Sequence, residues 1–114
     1  MHIDKSLMAG STTLMVLSLL EKEERYGYEM IAELARRSDD TFQLKEGTLY
    51  PILHGLEKDG RVKSRMKTAE NGRERRYYRI TPKGLELLKE KKQEWVTFTA
   101  KVNAVVLRPA PSGA

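Results

Sequence analysis

The sequence predicts an α+β chain that is mostly α, and three observations carry that prediction. Apolar residues recur with helical spacing over most of the first 60 residues. Two segments between residues 61 and 80 alternate apolar and basic side chains around an Asn-Gly pair. A further apolar periodicity runs from residue 82 almost to the end. Repeats near 3.6 residues argue for helix and a repeat of two argues for strand.

The first helix is expected over residues 6–21, with Leu7, Met8, Leu14, Met15, Val16, Leu17, Leu19 and Leu20. That is too apolar for one buried stripe, so contacts on two sides are expected. The stretch EKEERYGYE breaks this run, and a second helix over 27–37 presents Met30, Ile31, Leu34 and Ala35. SDDTFQL is a polar connector with a short extended end. In the third helix, over 47–59, Leu49, Ile52, Leu53 and Leu56 form one core-facing stripe. Gly60 follows it as the residue just past the cap. Three short helices with tight connections outline a helix-turn-helix.

RVKSRMK then alternates Val62, Ser64 and Met66 with Arg61, Lys63, Arg65 and Lys67. Asn71-Gly72 is a turn signal, and RERRYYRI alternates again, with Tyr78 and Ile80 as its apolar set. A basic hairpin directly after a helix-turn-helix is a wing. Thr81 and Pro82 are suited to the cap and first position of a last helix. It runs to about residue 107, roughly 39 Å at 1.5 Å per residue. The full prediction is a winged helix-turn-helix of three helices and a two-stranded wing over 1–80, a C-terminal dimerisation helix over 81–108, and a flexible tail over 109–114. No internal repeat is present.

With 114 residues, 39% hydrophobic and 32% charged, the chain suits one soluble domain. Without Cys it has no disulfide framework and no thiolate site, which fits a reducing cytoplasm. Gly10, Ser11, Thr12 and Thr13 interrupt any signal-like pattern. No apolar run nears the roughly 18 residues of a membrane span. A cytoplasmic protein without a membrane partner is expected.

The net charge of +5 is concentrated in one place. Residues 61–79 hold eight basic residues against Glu70 and Glu74, a net of +6. A basic segment on a near-neutral body is the footprint of a polyanion binder. The face of the third helix opposite its leucines carries Thr48, Pro51, His54, Gly55 and Lys58, with Tyr50 at the edge. Free N–H groups and the helix dipole at its start suit phosphate oxygens, and Gly47 leaves room for close backbone approach. Thr48 and Tyr50 offer hydroxyls to phosphates. Tyr28 and Lys45 extend this set, while Arg73, Arg75 and Arg76 near the wing tip reach for backbone or minor groove. Double-stranded DNA is the expected partner, and a protein–protein module gripping an acidic partner with its wing is the alternative.

Catalysis is not expected. His2 and His54 have no carboxylate cluster at ligand spacing, and no Gly-rich loop follows a strand. Ser64 and Thr68 lie in the wing without a base beside them. No cofactor or metal is implied.

LMVLSLL (14–20), YGYEMIAEL (26–34), EGTLYPILHGLEKDGRV (46–62) and RRYYRITPKGLELL (75–88) together carry a family resemblance. The chain resembles the PadR family of bacterial transcriptional regulators, in particular its branch with a short C-terminal helix that senses drugs. The resemblance implies a winged-helix homodimer that binds a pseudo-palindromic operator as a repressor, often of its own or an efflux or detoxification operon. The family usually has a basic residue where this chain has Gly55, which implies that the helix positions more than it reads bases.

Leu88, Trp95, Phe98, Val102, Val105 and Val106 form a stripe on the last helix that needs a cover. A second copy is the expected cover, and folding back onto the first helix is the alternative. Trp95 at that seam could line an apolar cavity with Leu7, Leu14 and Ser18. The resemblance implies a planar aromatic or phenolic effector there, against the alternative of a repressor with no small-molecule inducer.

Overall fold

The helix expected over residues 6–21 is two helices, α1 (Lys5–Ala9) and α2 (Thr12–Leu19). The break has a local cause. Gly10 is a poor helix former, and the Met8 carbonyl accepts from the Ser11 N–H, the Ser11 hydroxyl and the Thr12 hydroxyl, each at 3.0 Å. Hydroxyl donors of this kind compete with the helical ladder. The computed structural model describes residues 3–108, so His2 and the tail expected over 109–114 lie outside the described residues.

The segment expected only to end the first helix also forms a strand, β1 (Arg25–Tyr26). Helices α3 (Gly27–Arg37) and α4 (Glu46–Lys58) follow, then strands β2 (Val62–Thr68) and β3 (Glu74–Ile80), and helix α5 (Pro82–Val106). The sheet is antiparallel with order β1-β3-β2. Val62 pairs with Ile80 and Thr68 with Glu74 in the hairpin, while Arg25 pairs with Tyr78 and Tyr26 with Tyr77 on the other edge. The wing is therefore anchored by a third strand. Local periodicity could not reveal it, because two residues are too few to show a repeat.

The core is built as the stripes require. Val16, Leu17, Leu19 and Leu20 pack with Met30 and Leu34 of α3, Leu44 of the connector, and Leu49, Leu53 and Leu56 of α4. Val62, Tyr78 and Leu88 close it from the sheet and α5. Helix α4 ends in a Schellman arrangement. Gly60 has φ of 75°, its N–H meets Glu57 O at 3.0 Å, and the Arg61 N–H meets Leu56 O at 2.8 Å.

Helix α5 starts where expected. The Thr81 hydroxyl accepts from the Gly84 N–H at 3.1 Å and donates to Gly60 O at 2.7 Å, so one side chain joins this cap to the end of α4. A Cβ at Gly84 would lie 2.0 Å from the Arg61 carbonyl oxygen. Glycine is what lets the helix pass this close to the end of α4. The 25 residues of α5 span about 38 Å, and the molecule extends 65 × 30 × 22 Å.

Leu88 departs from its expected place. It is 2% exposed and belongs to the core of its own chain. The spacing by sevens from Leu88 to Trp95 and Val102 does place them along one helix. Only the portion that clears the winged domain is uncovered, so Leu88 drops out of the exposed stripe.

Candidate nucleic-acid interface

Once Leu49, Leu53 and Leu56 are buried, α4 presents Gly47, Thr48, Pro51, His54, Gly55 and Lys58 to solvent, with Lys45 at its cap. The helix begins at Glu46, so Pro51 is its sixth residue and not part of its start. A proline there withholds the N–H that would bond Gly47 O, and its ring crowds that same carbonyl. Gly47 and Pro51 thus stand at the two ends of one missing helical bond, four residues apart. A Cβ at Gly47 would meet nothing within 4 Å, and neither would one at Gly55. Packing within the chain does not require either glycine, and both leave the outer face low.

Tyr50 is only half exposed to this surface. Its hydroxyl lies over the start of α3, where a Cβ on Gly27 would approach Tyr50 Oη to 2.4 Å. The expected phosphate-facing hydroxyl is therefore turned toward a neighbouring helix, and Tyr50 locks α4 against α3. Tyr28, next to Gly27 in the chain, is 66% exposed. The first turn of α3 is further fixed by the Tyr26 N–H, which donates to Glu29 Oε1 at 3.1 Å.

The three wing arginines have three different settings. Arg73 stands in the exposed turn, where Gly72 has φ of 83° and the Arg73 N–H bonds Asn71 Oδ1 at 3.0 Å. The Arg75 guanidinium lies 5.4 Å over the Tyr26 ring, a cation–π contact that holds it along β1. Arg76 donates to Ser64 Oγ at 3.1 Å, and Ser64 in turn donates to Glu57 Oε2 at 2.6 Å. That chain braces the wing against α4. Of the three, Arg73 is the one in the turn itself.

Two carboxylates of this region escaped the sequence reading. Glu57 faces the wing from the side of α4. Glu24 takes Arg65 in two bonds, at 2.7 and 3.1 Å, and Lys67 at 3.0 Å. These hydrogen bonds hold its carboxyl down to about 2. Lys67 also sits 4.7 Å over the Tyr77 ring. Glu24 and Arg65 are 41 residues apart, so no periodicity could have linked them.

A separate groove of about 1040 Å³ lies between α1, the start of α2 and the middle of α5. Leu7, Leu14, Trp95 and Phe98 line it, with Glu90 and Glu94 among its polar residues. Trp95 and Phe98 stack at 6.4 Å between ring centroids. Three of the four residues expected around an effector are near this groove. Ser18 is not among its lining residues, since its hydroxyl is turned back to Leu14 O at 2.9 Å. Phe98, Val102, Val105 and Val106 are all exposed along α5.

Among the described residues, no group of three or more His, Cys, Asp and Glu is placed to hold a metal ion, and no helix is long and apolar enough to cross a membrane. A helix-turn-helix braced to an anchored basic hairpin defines the winged helix-turn-helix class. Residues 16–90 match the model of the transcriptional regulator PadR-like family, and the chain belongs to that family. It is a transcriptional regulator and not an enzyme.

Known proteins agree with this assignment. The chain is 35% identical over 86 residues to the transcriptional regulator Rv3488 of Mycobacterium tuberculosis, covering 75% of this chain and 77% of that one. A transcriptional regulator from Clostridium thermocellum superposes with a TM-score of 0.80 at 36% identity, over 89% of this chain and 98% of the other. A PadR-like regulator from Bacillus cereus gives 0.80 at 34% identity, over 92% and 99%.

Proposed function

We propose that this regulator binds duplex operator DNA as a homodimer and represses transcription, of its own gene or of an adjacent efflux or detoxification operon. The outer face of α4 supports this reading most: Thr48, His54 and Lys58 are exposed on a helix that carries no large apolar side chain on that side. Tyr28 and Lys45 border that face, and Arg73 extends it at the wing. Two such helices in a two-fold dimer would enter successive major grooves about 34 Å apart, which calls for a pseudo-palindromic site. Thr48, Lys58 and Arg73 position the protein through phosphates, and Gly47 lets the backbone come close.

Mobility shifts on random duplex and on the DNA upstream of the gene, over a salt series, test the reading. Arg73→Gln should weaken both and flatten the log–log salt slope by about 1. Unchanged affinity for random duplex would remove the wing from the interface. Absence of any duplex binding at low salt would favour the module that grips an acidic protein.

The groove beside Trp95 favours a ligand-responsive regulator over one without an inducer. Its aromatic and apolar lining suits a planar aromatic or phenolic compound, and Glu90 and Glu94 suit a positive charge on it. In the homodimer, Phe98, Val102, Val105 and Val106 of α5 would be covered by the second copy. Titration with a planar cationic dye should quench the fluorescence of Trp95. A dimer whose emission does not change would leave the groove without this role.

A further inference from the structure

We propose that Glu24 stands in for a DNA phosphate, holding Arg65 and Lys67 so that the wing presents less charge to the duplex than its sequence carries. The inference rests on the DNA-binding reading above. It starts from the shape of the contact. A carboxylate that takes a guanidinium in two parallel bonds uses the same fork that a phosphate would use. Arg65 meets Glu24 in this way at 2.7 and 3.1 Å, and Lys67 adds a third bond at 3.0 Å.

This contact is not what anchors the wing. Backbone pairing of Arg25 with Tyr78 and Tyr26 with Tyr77 does that, and the Tyr26 and Tyr77 rings meet edge to face at 5.3 Å. The Arg65 and Lys67 side chains remain 61% and 45% exposed, and exposed ion pairs add little to stability. The main effect of Glu24 is therefore on charge. Lys63, Arg65 and Lys67 occupy alternate positions on one face of β2, about 6.8 Å apart along the strand. Without Glu24 they form a ladder of three cations, and with it only Lys63 is left outside the clamp.

Charge on a wing acts on every sequence alike, because counterion release does not depend on the bases. Restraining two cations therefore lowers binding to random DNA and to an operator by a similar factor, and the contacts of α4 are left to separate the two. Glu24 thus acts as a positioning residue that sets the strength of sequence-independent binding.

The test is a salt series of mobility shifts on random duplex with the full-length wild type and Glu24→Gln. The variant should bind several-fold tighter, with a log–log slope steeper by about 1 to 2, since each freed cation adds about 0.9. The triple variant Glu24→Gln/Arg65→Gln/Lys67→Gln should return to the wild-type slope, and circular dichroism should show both folded. If Glu24→Gln fails to fold, the triple variant decides alone: a slope about 2 lower than wild type means that Arg65 and Lys67 already hold phosphates. Wild-type binding with an unchanged or weaker Glu24→Gln overturns the inference and leaves the proposed function intact. No binding by the wild type overturns both.

Discussion

Helices α4 and α5 each leave one face uncovered, and the two faces have opposite chemistry. The outer face of α4 has Thr48 and His54 between Gly47 and Gly55, with Lys58 beyond them, all exposed. The distal part of α5 exposes Phe98 at 61%, Val105 at 79% and Val106 at 65%. A polar face is complete in water until a charged partner arrives, whereas a contiguous apolar stripe marks an interaction site. The contrast supports two different partners for the two helices, a polyanion for α4 and another apolar surface for α5. The proximal part of α5 belongs to neither description, because Gly84 and Leu88 are buried in the chain's own core.

The most damaging way to break this contrast is at Gly84. A Cβ there would lie 2.0 Å from the Arg61 carbonyl oxygen and 2.7 Å from an Ile80 side-chain carbon. The nearest atom is backbone and cannot swing away. Gly84→Val should cost about 3 kcal/mol and lower the melting temperature by roughly 10–20 °C, read by circular dichroism. A melting curve like that of the wild type would mean that α5 is not seated against the end of α4 as described.

A smaller effect, confined to one side of the contrast, is expected from Phe98→Glu with Val102→Glu. If the distal stripe of α5 is covered by a second copy, burying these carboxylates should weaken dimerisation by about 2 kcal/mol or more, roughly 30-fold. Sedimentation equilibrium measures this directly, and the far-ultraviolet spectrum should stay unchanged because both residues are exposed in the single chain. His54→Glu on α4 is the matched control, expected to spare dimerisation and reduce DNA binding. Loss of the dimer in the control, or its survival in the double variant, would erase the distinction between the two faces.

Periodic features were legible in the sequence, and features made by contacts between distant segments were not. The Leu49, Leu53 and Leu56 stripe, the Gly60 helix end, the Asn71-Gly72 turn and the Thr81 cap each depend on neighbours within a few residues, and each is found as expected. The break at Gly10 was visible as composition, but apolar residues on both sides of it outweighed the signal. Strand β1 exists only because β3 runs beside it. Tyr50 and Leu88 were placed on the correct helices, yet what covers them comes from α3 and from the core, which helical spacing does not encode. The same holds for Arg75 and Arg76, whose partners Tyr26 and Ser64 lie on other strands.

The smallest effect separates the acidic residues that serve the fold from the cations that serve the surface. Glu33 bonds Arg36 and Arg37, and Glu24 bonds Arg65 and Lys67, so both carboxyls are held down to about 2 from an ordinary 4.5. A carboxyl lowered on folding contributes stability above its unfolded value and loses it as pH falls toward the folded value. The contribution is therefore full above about pH 4.5 and fades between there and about pH 2. Exposure of the basic partners and screening by salt keep it small. Melting temperature against pH should fall less steeply below pH 4.5 in Glu24→Gln/Glu33→Gln than in the wild type, most clearly at low ionic strength. Parallel curves would show that neither ion pair contributes to the folded state, and would leave charge control at the wing as the only role for Glu24.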